Sequence, residues 1–106
     1  MNKYRDKSDF EINKAVAVNI NGADAVVEKF GIIYINHTDT MVNFNPCNSP
    51  YDAMPIIIEN GISMVRVNNE WSARQFNNHC IEVNDSNYYR AAMICFLMMK
   101  DAENES

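Results

Sequence analysis

The chain has 106 residues, of which 47% are hydrophobic and 22% are charged, and its formal net charge is −5. This length and apolar content are typical of one globular domain that buries a core without disulfides or metal, so we expect a single domain over residues 1–106 with flexible ends at residues 1–7 and 102–106. The acidic balance argues against a nucleic-acid partner, because such binding requires clustered lysine and arginine side chains that neutralise phosphates.

The cysteines and the apolar runs predict a cytoplasmic protein. Cys47, Cys80 and Cys95 are odd in number and have no recognised metal-ligand spacing, which favours reduced thiols. No secretory segment follows Met1, and the longest apolar run, residues 91–99, is about half of a membrane span. We therefore expect no membrane partner.

The first third of the chain predicts a helix and then two strands. Ser8-Asp9-Phe10-Glu11 is a capping box, so a helix begins after Ser8 and ends near Asn21-Gly22. Residues 23–28 and 32–35 are short β-branched segments separated by a turn. The polar segment from Asn36 to Asn48 predicts a loop of a length that is usually either functional or poorly ordered.

The central segment allows either a hairpin or a helix. Asn60-Gly61 is the strongest short-range signal for a hairpin turn. Alternatively, a helix begins after Ser49 or Asp52 and ends at Gly61 in the left-handed conformation. We predict the helix, from Ala53 to Asn60 with Asp52 as its cap, because a proline that leads directly into a central strand would be unfavourable.

Residues 62–75 predict a β-hairpin with Asn68-Asn69 as a two-residue turn. Pairing through this turn places Arg66 opposite Trp71 on the core face, where the guanidinium can lie over the indole ring. The other predicted pairs are Met64 with Ala73, Val65 with Ser72, and Val67 with Glu70.

A short strand near residues 80–83 and a long helix complete the chain. Asp85 or Ser86 is expected to cap this helix, which runs to about Asp101 and is apolar nearly all round. Such a helix in a small domain either lies in a deep groove or buries its second face against another subunit. That second face is Tyr89, Met93 and Phe96, for which we predict a homodimer contact. The whole pattern predicts an α+β fold, in which a small antiparallel sheet of three to five short strands packs against N-terminal, short central and long C-terminal helices.

Three segments, residues 8–17, 45–63 and 91–96, share a further pattern. Its hallmark is a Pro-Ile-Ile run closed by Gly-Ile, present here as Pro55-Ile56-Ile57 and Gly61-Ile62. In these segments the chain resembles the NinX-like proteins, a family of small bacteriophage and prophage proteins. It departs from them at Met54, where relatives usually carry Trp or Gly. The resemblance implies a phage accessory protein in the host cytoplasm and brings no activity to transfer.

Few residues could carry chemistry. A metal site could draw only on His37, Asp39, Cys47, His79 and Cys80, and these lack the paired spacing that structural zinc requires. A nucleophile formed by Cys47 with His37 or His79 would require a lowered thiol pKa and a hydrogen bond between the two side chains. We therefore predict no catalytic residue, no metal site and no cofactor.

The function predicted from the sequence is protein–protein contact. Tyr51, Met54 and Trp71, with Arg66 beside the indole, are candidates for an exposed patch that binds a host or phage protein. The rim of the core is the more common position for such residues. The alternative function is a small-molecule-binding or enzymatic domain that uses the loop from Asn36 to Asn48.

Overall fold

The computed structural model describes residues 3–77 and 80–105, which form three α-helices and two separate three-stranded antiparallel sheets. The helices are α1 (Asp9–Asn21), α2 (Pro50–Glu59) and α3 (Tyr88–Glu105), and a single 3-10 turn covers Ala23–Ala25. The first sheet contains β1 (Val26–Lys29), β2 (Ile32–Asn36) and β3 (Met41–Asn43), and the second contains β4 (Ser63–Val67), β5 (Glu70–Gln75) and β6 (Ile81–Asp85). The predicted α+β class is confirmed.

Helix α1 begins as predicted. The hydroxyl of Ser8 accepts a hydrogen bond from the Glu11 amide at 3.1 Å, which satisfies one of the free amides of the first turn. The helix ends at Gly22, which adopts a positive φ of 85°. Its apolar face, which includes Ile12 and Val16, is fully buried against α3 and the first sheet.

The first sheet has one strand more than predicted. The β1–β2 hairpin is confirmed, but the segment from Asn36 to Asn48 is not all loop, because β3 pairs with β2 through Ile35 and Val42. Three residues are too few to show alternation in a sequence, so this strand is defined only by its hydrogen bonds to a partner. Helix α1 covers one face of the sheet, where Ile33 and Ile35 are buried.

The central segment is a helix, as predicted, but it begins earlier and has a different cap. Helix α2 starts at Pro50, whose fixed φ suits the first helical position, and Ser49 is the N-cap. Asp52 therefore does not cap the helix; its carboxylate instead accepts a hydrogen bond from the Asn45 amide at 2.9 Å. At the other end Gly61, at φ 62°, closes a Schellman motif in which the Ile62 amide bonds the Ile57 carbonyl at 3.0 Å.

The second sheet follows the predicted register. The four predicted pairs of the β4–β5 hairpin are confirmed, and Ser63 with Arg74 adds a fifth. Asn68 and Asn69 both adopt positive φ, which produces the type of turn that matches strand twist. The guanidinium carbon of Arg66 lies 5.2 Å from the Trp71 ring centroid, so the predicted cation–π contact is present. Strand β6 adds to β5, and its Ile81 and Val83 pack into the core under α3.

Helix α3 corrects two predictions. Its first turn is capped by Asn87, whose side-chain oxygen accepts from the amides of Tyr89 and Arg90, and not by Asp85 or Ser86. Met93 and Phe96 are 0% and 3% exposed, so they cannot meet a second copy, and of the three residues proposed as a dimer face only Tyr89 is partly exposed. The physical reason is that α3 lies at the centre of the domain and packs against α1, α2 and the second sheet at once.

The N-terminal segment before α1 is hydrogen-bonded to α3. The Tyr4 hydroxyl donates to Asp101, and the carbonyls of Arg5 and Lys7 accept hydrogen bonds from Arg90.

None of the helices within residues 3–77 and 80–105 has the length and apolar content that a membrane-spanning helix requires.

Candidate interaction surface

Helix α2 is apolar on two opposite faces. Ala53, Ile56 and Ile57 are buried in the core. On the other side, positions i, i+4 and i+7 carry Tyr51, Pro55 and Ile58, which lie along one face of a helix, and the half-buried Met54 borders them. Tyr51 is 87% exposed and Ile58 is 70% exposed. We refer to the set Tyr51, Met54, Pro55 and Ile58 as the α2 stripe.

A backbone carbonyl and two carboxylates lie beside the α2 stripe. Because Pro55 has no N–H, the Tyr51 carbonyl lacks the amide that would bond it in a regular helix. Asp52 and Glu59 lie on one flank of the stripe, and α2 contains no lysine or arginine. Neither carboxylate takes part in an ion pair with any residue that the structure describes. The flank is therefore acidic and available to a cation.

An open depression of about 340 Å³ lies between α2 and β3. Its apolar lining residues are Tyr51 and Val42, which is 46% exposed. Its other lining residues are polar: Asn43, Asn45, Ser49 and Asp52. The surface next to Tyr51 is therefore mainly polar on the β3 side.

Buried asparagines hold α2 in place. The side chain of Asn13, 6% exposed, donates to the side-chain oxygen of Asn45 at 2.8 Å and accepts from the Cys47 amide at 3.0 Å. Asn87 donates to the Cys47 carbonyl at 2.9 Å. The loop before α2 is therefore bonded to both α1 and α3, so the stripe sits on a fixed support. Sequence reasoning missed Asn13, although an asparagine beside the apolar Ile12 and one turn from Val16 was a usable signal.

A second depression, of about 300 Å³, lies near the loop that the alternative function would use. Its walls are the first turn of α1 and the neighbouring ends of β2 and β3, and its lining residues are Asp9, Phe10, Asn13, Gly31, Ile32, Ile33, Asn43, Phe44, Asn45 and Asn48. We refer to it as the α1–β3 hollow. The side-chain amides of Asn13 and Asn48 both donate to the side-chain oxygen of Asn45. These groups are therefore already hydrogen-bonded within the fold. This arrangement does not favour a polar small-molecule site.

The remaining predicted interaction residues lie on another element. Trp71 is half-buried on the second sheet, and its ring meets that of Tyr88 edge-on at 4.9 Å. The guanidinium carbon of Arg66 lies 5.2 Å from the centroid of the same Trp71 ring. Tyr51 and Met54 are thus brought together on α2, whereas Trp71 and Arg66 pack at the rim of the core above α3. Sequence reasoning missed Pro55 and Ile58, although extending the helical spacing from Tyr51 would have found both.

The candidate nucleophile is not activated. Cys47 is fully buried, and this burial, with a smaller contribution from the charge of Asp9, raises the pKa of its thiol to about 12. The thiol therefore stays protonated at neutral pH. His37 lies in the β2–β3 turn, where its amide bonds the Thr40 carbonyl, and His79 lies outside the described residues. Among the residues with described positions, no three His, Cys, Asp or Glu side chains cluster as metal ligands.

Because the thiols of Cys47 and Cys95 are buried, we expect the fold to lose stability in alkali. Burial also raises the pKa of Cys95 to about 12, against about 9 for an exposed thiol. Both thiols stabilise the fold fully below pH 9, and this stabilisation is lost as pH rises from 9 towards 12, because the unfolded chain then ionises first. Each thiol should lower the free energy of unfolding by about 1.4 kcal/mol per pH unit in this range.

Urea unfolding at pH 8 and pH 10 measures this decrease in the free energy of unfolding. Cys95→Ala should remove the half of the thiol contribution that comes from Cys95. Identical pH dependence in the two proteins would contradict the assignment.

Comparison with known proteins places the chain in a family. Residues 3–100 match the family model described as Bacteriophage P22, NinX, a span that includes α1, both sheets, α2 and most of α3. No curated protein and no solved structure matches the chain. Because the match covers nearly the whole sequence, the protein belongs to this family, Bacteriophage P22, NinX.

Proposed function

We propose that this protein is a phage accessory protein that acts in the host cytoplasm by binding a protein partner through the α2 stripe, without catalysing a reaction. The observation that carries the proposal is the exposure of Tyr51 and Ile58, at 87% and 70%, on a helix whose opposite face is in the core. Removing a large apolar side chain from water contributes roughly 1.5–3 kcal/mol, so two such residues can anchor a complex.

The support of the stripe favours binding. Helix α2 is held at its start by Pro50 and by the hydrogen bond that the Asn45 amide donates to Asp52, and at its end by the Gly61 motif. A surface that is already ordered loses little conformational entropy when a partner binds, so more of the burial energy appears as affinity. An exposed helix face with anchors at i, i+4 and i+7 is suited to an apolar groove on the partner.

The charge beside the stripe restricts the kind of partner that can bind it. Asp52 and Glu59 offer two carboxylates on one flank, and the whole chain carries a net charge of −5. A groove with lysine or arginine on one rim would complement this flank and would increase the association rate. The same charge balance disfavours a nucleic-acid partner.

Quantitative co-purification tests the proposal. The tagged protein would be recovered from phage-infected host cells as the wild type, as Tyr51→Ala, as Ile58→Ala and as the double variant. We expect each single substitution to lower the amount of the specific partner by about tenfold and the double variant to abolish it. Thermal melting should change little, because both side chains are largely exposed.

The matched control is Ile20→Ala, because Ile20 is an exposed apolar residue on α1, 47% exposed and away from α2. This variant should retain the partner at the wild-type level. Retention of the partner by the Tyr51→Ala, Ile58→Ala double variant, or equal loss in the Ile20 variant, would rule out the stripe.

A further inference from the structure

Strand β4 is an outer strand of the second sheet, because the strand order is β4–β5–β6. Val67 and Glu70 flank the two-residue turn, and in such a hairpin these two residues exchange backbone hydrogen bonds. Every second residue of β4 therefore bonds β5, whereas Met64 and Arg66 direct their backbone N–H and C=O groups away from it. In the part of the chain that the structure describes, no group outside the β4–β5 ladder bonds the backbone of these two residues.

This open edge lacks the features that usually block strand pairing. Proteins protect an outer strand with a proline, a bulge, a very short strand or a charge at the edge. Strand β4 is five residues long, contains no proline and pairs with β5 without a break in register. Its one charged residue, Arg66, has its guanidinium over the Trp71 ring and is thus directed towards β5. The outer edge of β4 is therefore open to a further strand.

The other outer strands are less suited to pairing with a second copy of this acidic chain. Strand β1 contains Glu28, and β6 contains Glu82 and Asp85, so their edges carry the charge that makes two copies repel. Strand β3 has only three residues. Strand β4 contains no carboxylate, and its central residue, Val65, is 38% exposed and gains burial when the edge is covered.

We propose that two copies of the chain pair antiparallel through β4 about a two-fold axis at Val65, which joins their three-stranded sheets into one sheet of six strands. Met64 of each copy then lies opposite Arg66 of the other and exchanges two backbone hydrogen bonds with it. Every free N–H and C=O group of the two edges is thereby bonded. An axis at Arg66 would instead place the two guanidinium groups opposite each other, which is unfavourable. The edge thus matches a second copy of itself in hydrogen bonding and in charge, and the dimer is closed.

Valine side chains add an apolar contact on the sheet face opposite Trp71. The two Val65 side chains meet at the axis as a non-hydrogen-bonded pair, the arrangement in which opposed side chains are closest. Val67 of each copy lies diagonally beside Val65 of the other, so the valines form one row across the junction. One strand from each copy is a small interface, so the dimer is weak and depends on concentration.

Sedimentation of the purified full chain over a concentration series tests the pairing. The wild type should show a reversible monomer–dimer equilibrium. Val65→Lys should raise the dimer dissociation constant by more than about tenfold, because it places two ammonium groups opposite each other at the axis. Val42→Lys is the matched control, since it adds the same charge to β3 at a valine that is 46% exposed, and it should dimerise as the wild type does. Urea unfolding checks that both variants are folded.

Disulfide cross-linking locates the axis even where the dimer is weak. In a Cys80→Ser background, which removes the exposed native thiol, diamide should link two copies of Val65→Cys, because the introduced thiols meet at the axis. Val67→Cys should link far more slowly, because the two copies of position 67 lie about 13 Å apart along the strands, beyond the reach of a disulfide. A wild type that stays monomeric at millimolar concentration, a Val65→Lys variant that dimerises normally, or equally fast linkage from positions 65 and 67 would each overturn the proposal.

Discussion

Replacing Arg90 with leucine should lower the free energy of unfolding by about 3 kcal/mol, the low end of the range for breaking a buried ion pair. The Arg90 side chain is 13% exposed and binds Asp9 at 2.7 Å and Asp85 at 3.2 Å. It also donates to the carbonyls of Arg5 and Lys7, so one guanidinium joins the N-terminal segment, α1, β6 and α3. Its removal leaves partly buried carboxylates and carbonyls without their donor. The low end applies because Asp9 is partly exposed to solvent.

Equilibrium unfolding in urea measures this loss, and two variants calibrate it. Arg90→Lys keeps the charge but cannot supply the planar fork of donors, so it should recover only part of the lost stability. Arg74→Leu removes an arginine whose one ion pair with a described residue, Glu82 at 3.6 Å, is more exposed, and it should cost less than about 1 kcal/mol. If Arg90→Leu unfolds within 1 kcal/mol of the wild type, the guanidinium does not tie these elements together.

Phe96→Ala should be about as severe, with an expected loss of about 3–5 kcal/mol, and Met93→Ala should cost about 2–5 kcal/mol. Both side chains are essentially inaccessible, and truncation leaves a cavity among α1, α2 and the second sheet. Tyr89→Ala should cost less, because Tyr89 is only partly buried at the edge of the core, where its ring lies 5.0 Å from that of Tyr88.

The same three variants decide between core and dimer face. If Met93 and Phe96 belong to the core, urea unfolding shifts strongly while sedimentation of the folded protein keeps the wild-type dependence on concentration. A stable Phe96→Ala protein with altered self-association would restore the dimer-face interpretation.

Local signals predicted much of the fold. The Ser8 cap, the Asn68-Asn69 turn and the register of the second hairpin depend on residues close in the sequence, and all three are confirmed. Strand β3 and the Asn87 cap were missed, because the first depends on pairing with β2 and the second on a choice among three adjacent polar residues that could each cap a helix.

The apolar character of α3 was recognised but its cause was not. A helix that is apolar all round indicates either a second subunit or a position at the centre of the domain, and the sequence does not distinguish them. The structure places α3 at the centre, which buries Met93 and Phe96.

The candidate surface was predicted in part. Tyr51 and Met54 were identified from residue type, but Pro55 and Ile58 complete the stripe only once the helix is known to begin at Pro50. The positive φ and the exposed ring of Phe30 were not predicted, because neither is visible in a sequence. The chemical character of a short segment can thus be predicted from its residues, whereas the exposure of a side chain depends on how the whole chain packs.

Photo-cross-linking in phage-infected cells tests the central claim most directly, with benzoylphenylalanine placed in turn at positions 51, 58 and 20. A partner groove that encloses the α2 stripe predicts adducts of one and the same protein from positions 51 and 58, and none from position 20, and Glu59→Lys should reduce their yield. The account is contradicted if neither stripe position yields an adduct, or if position 20 yields the same adduct in equal amount.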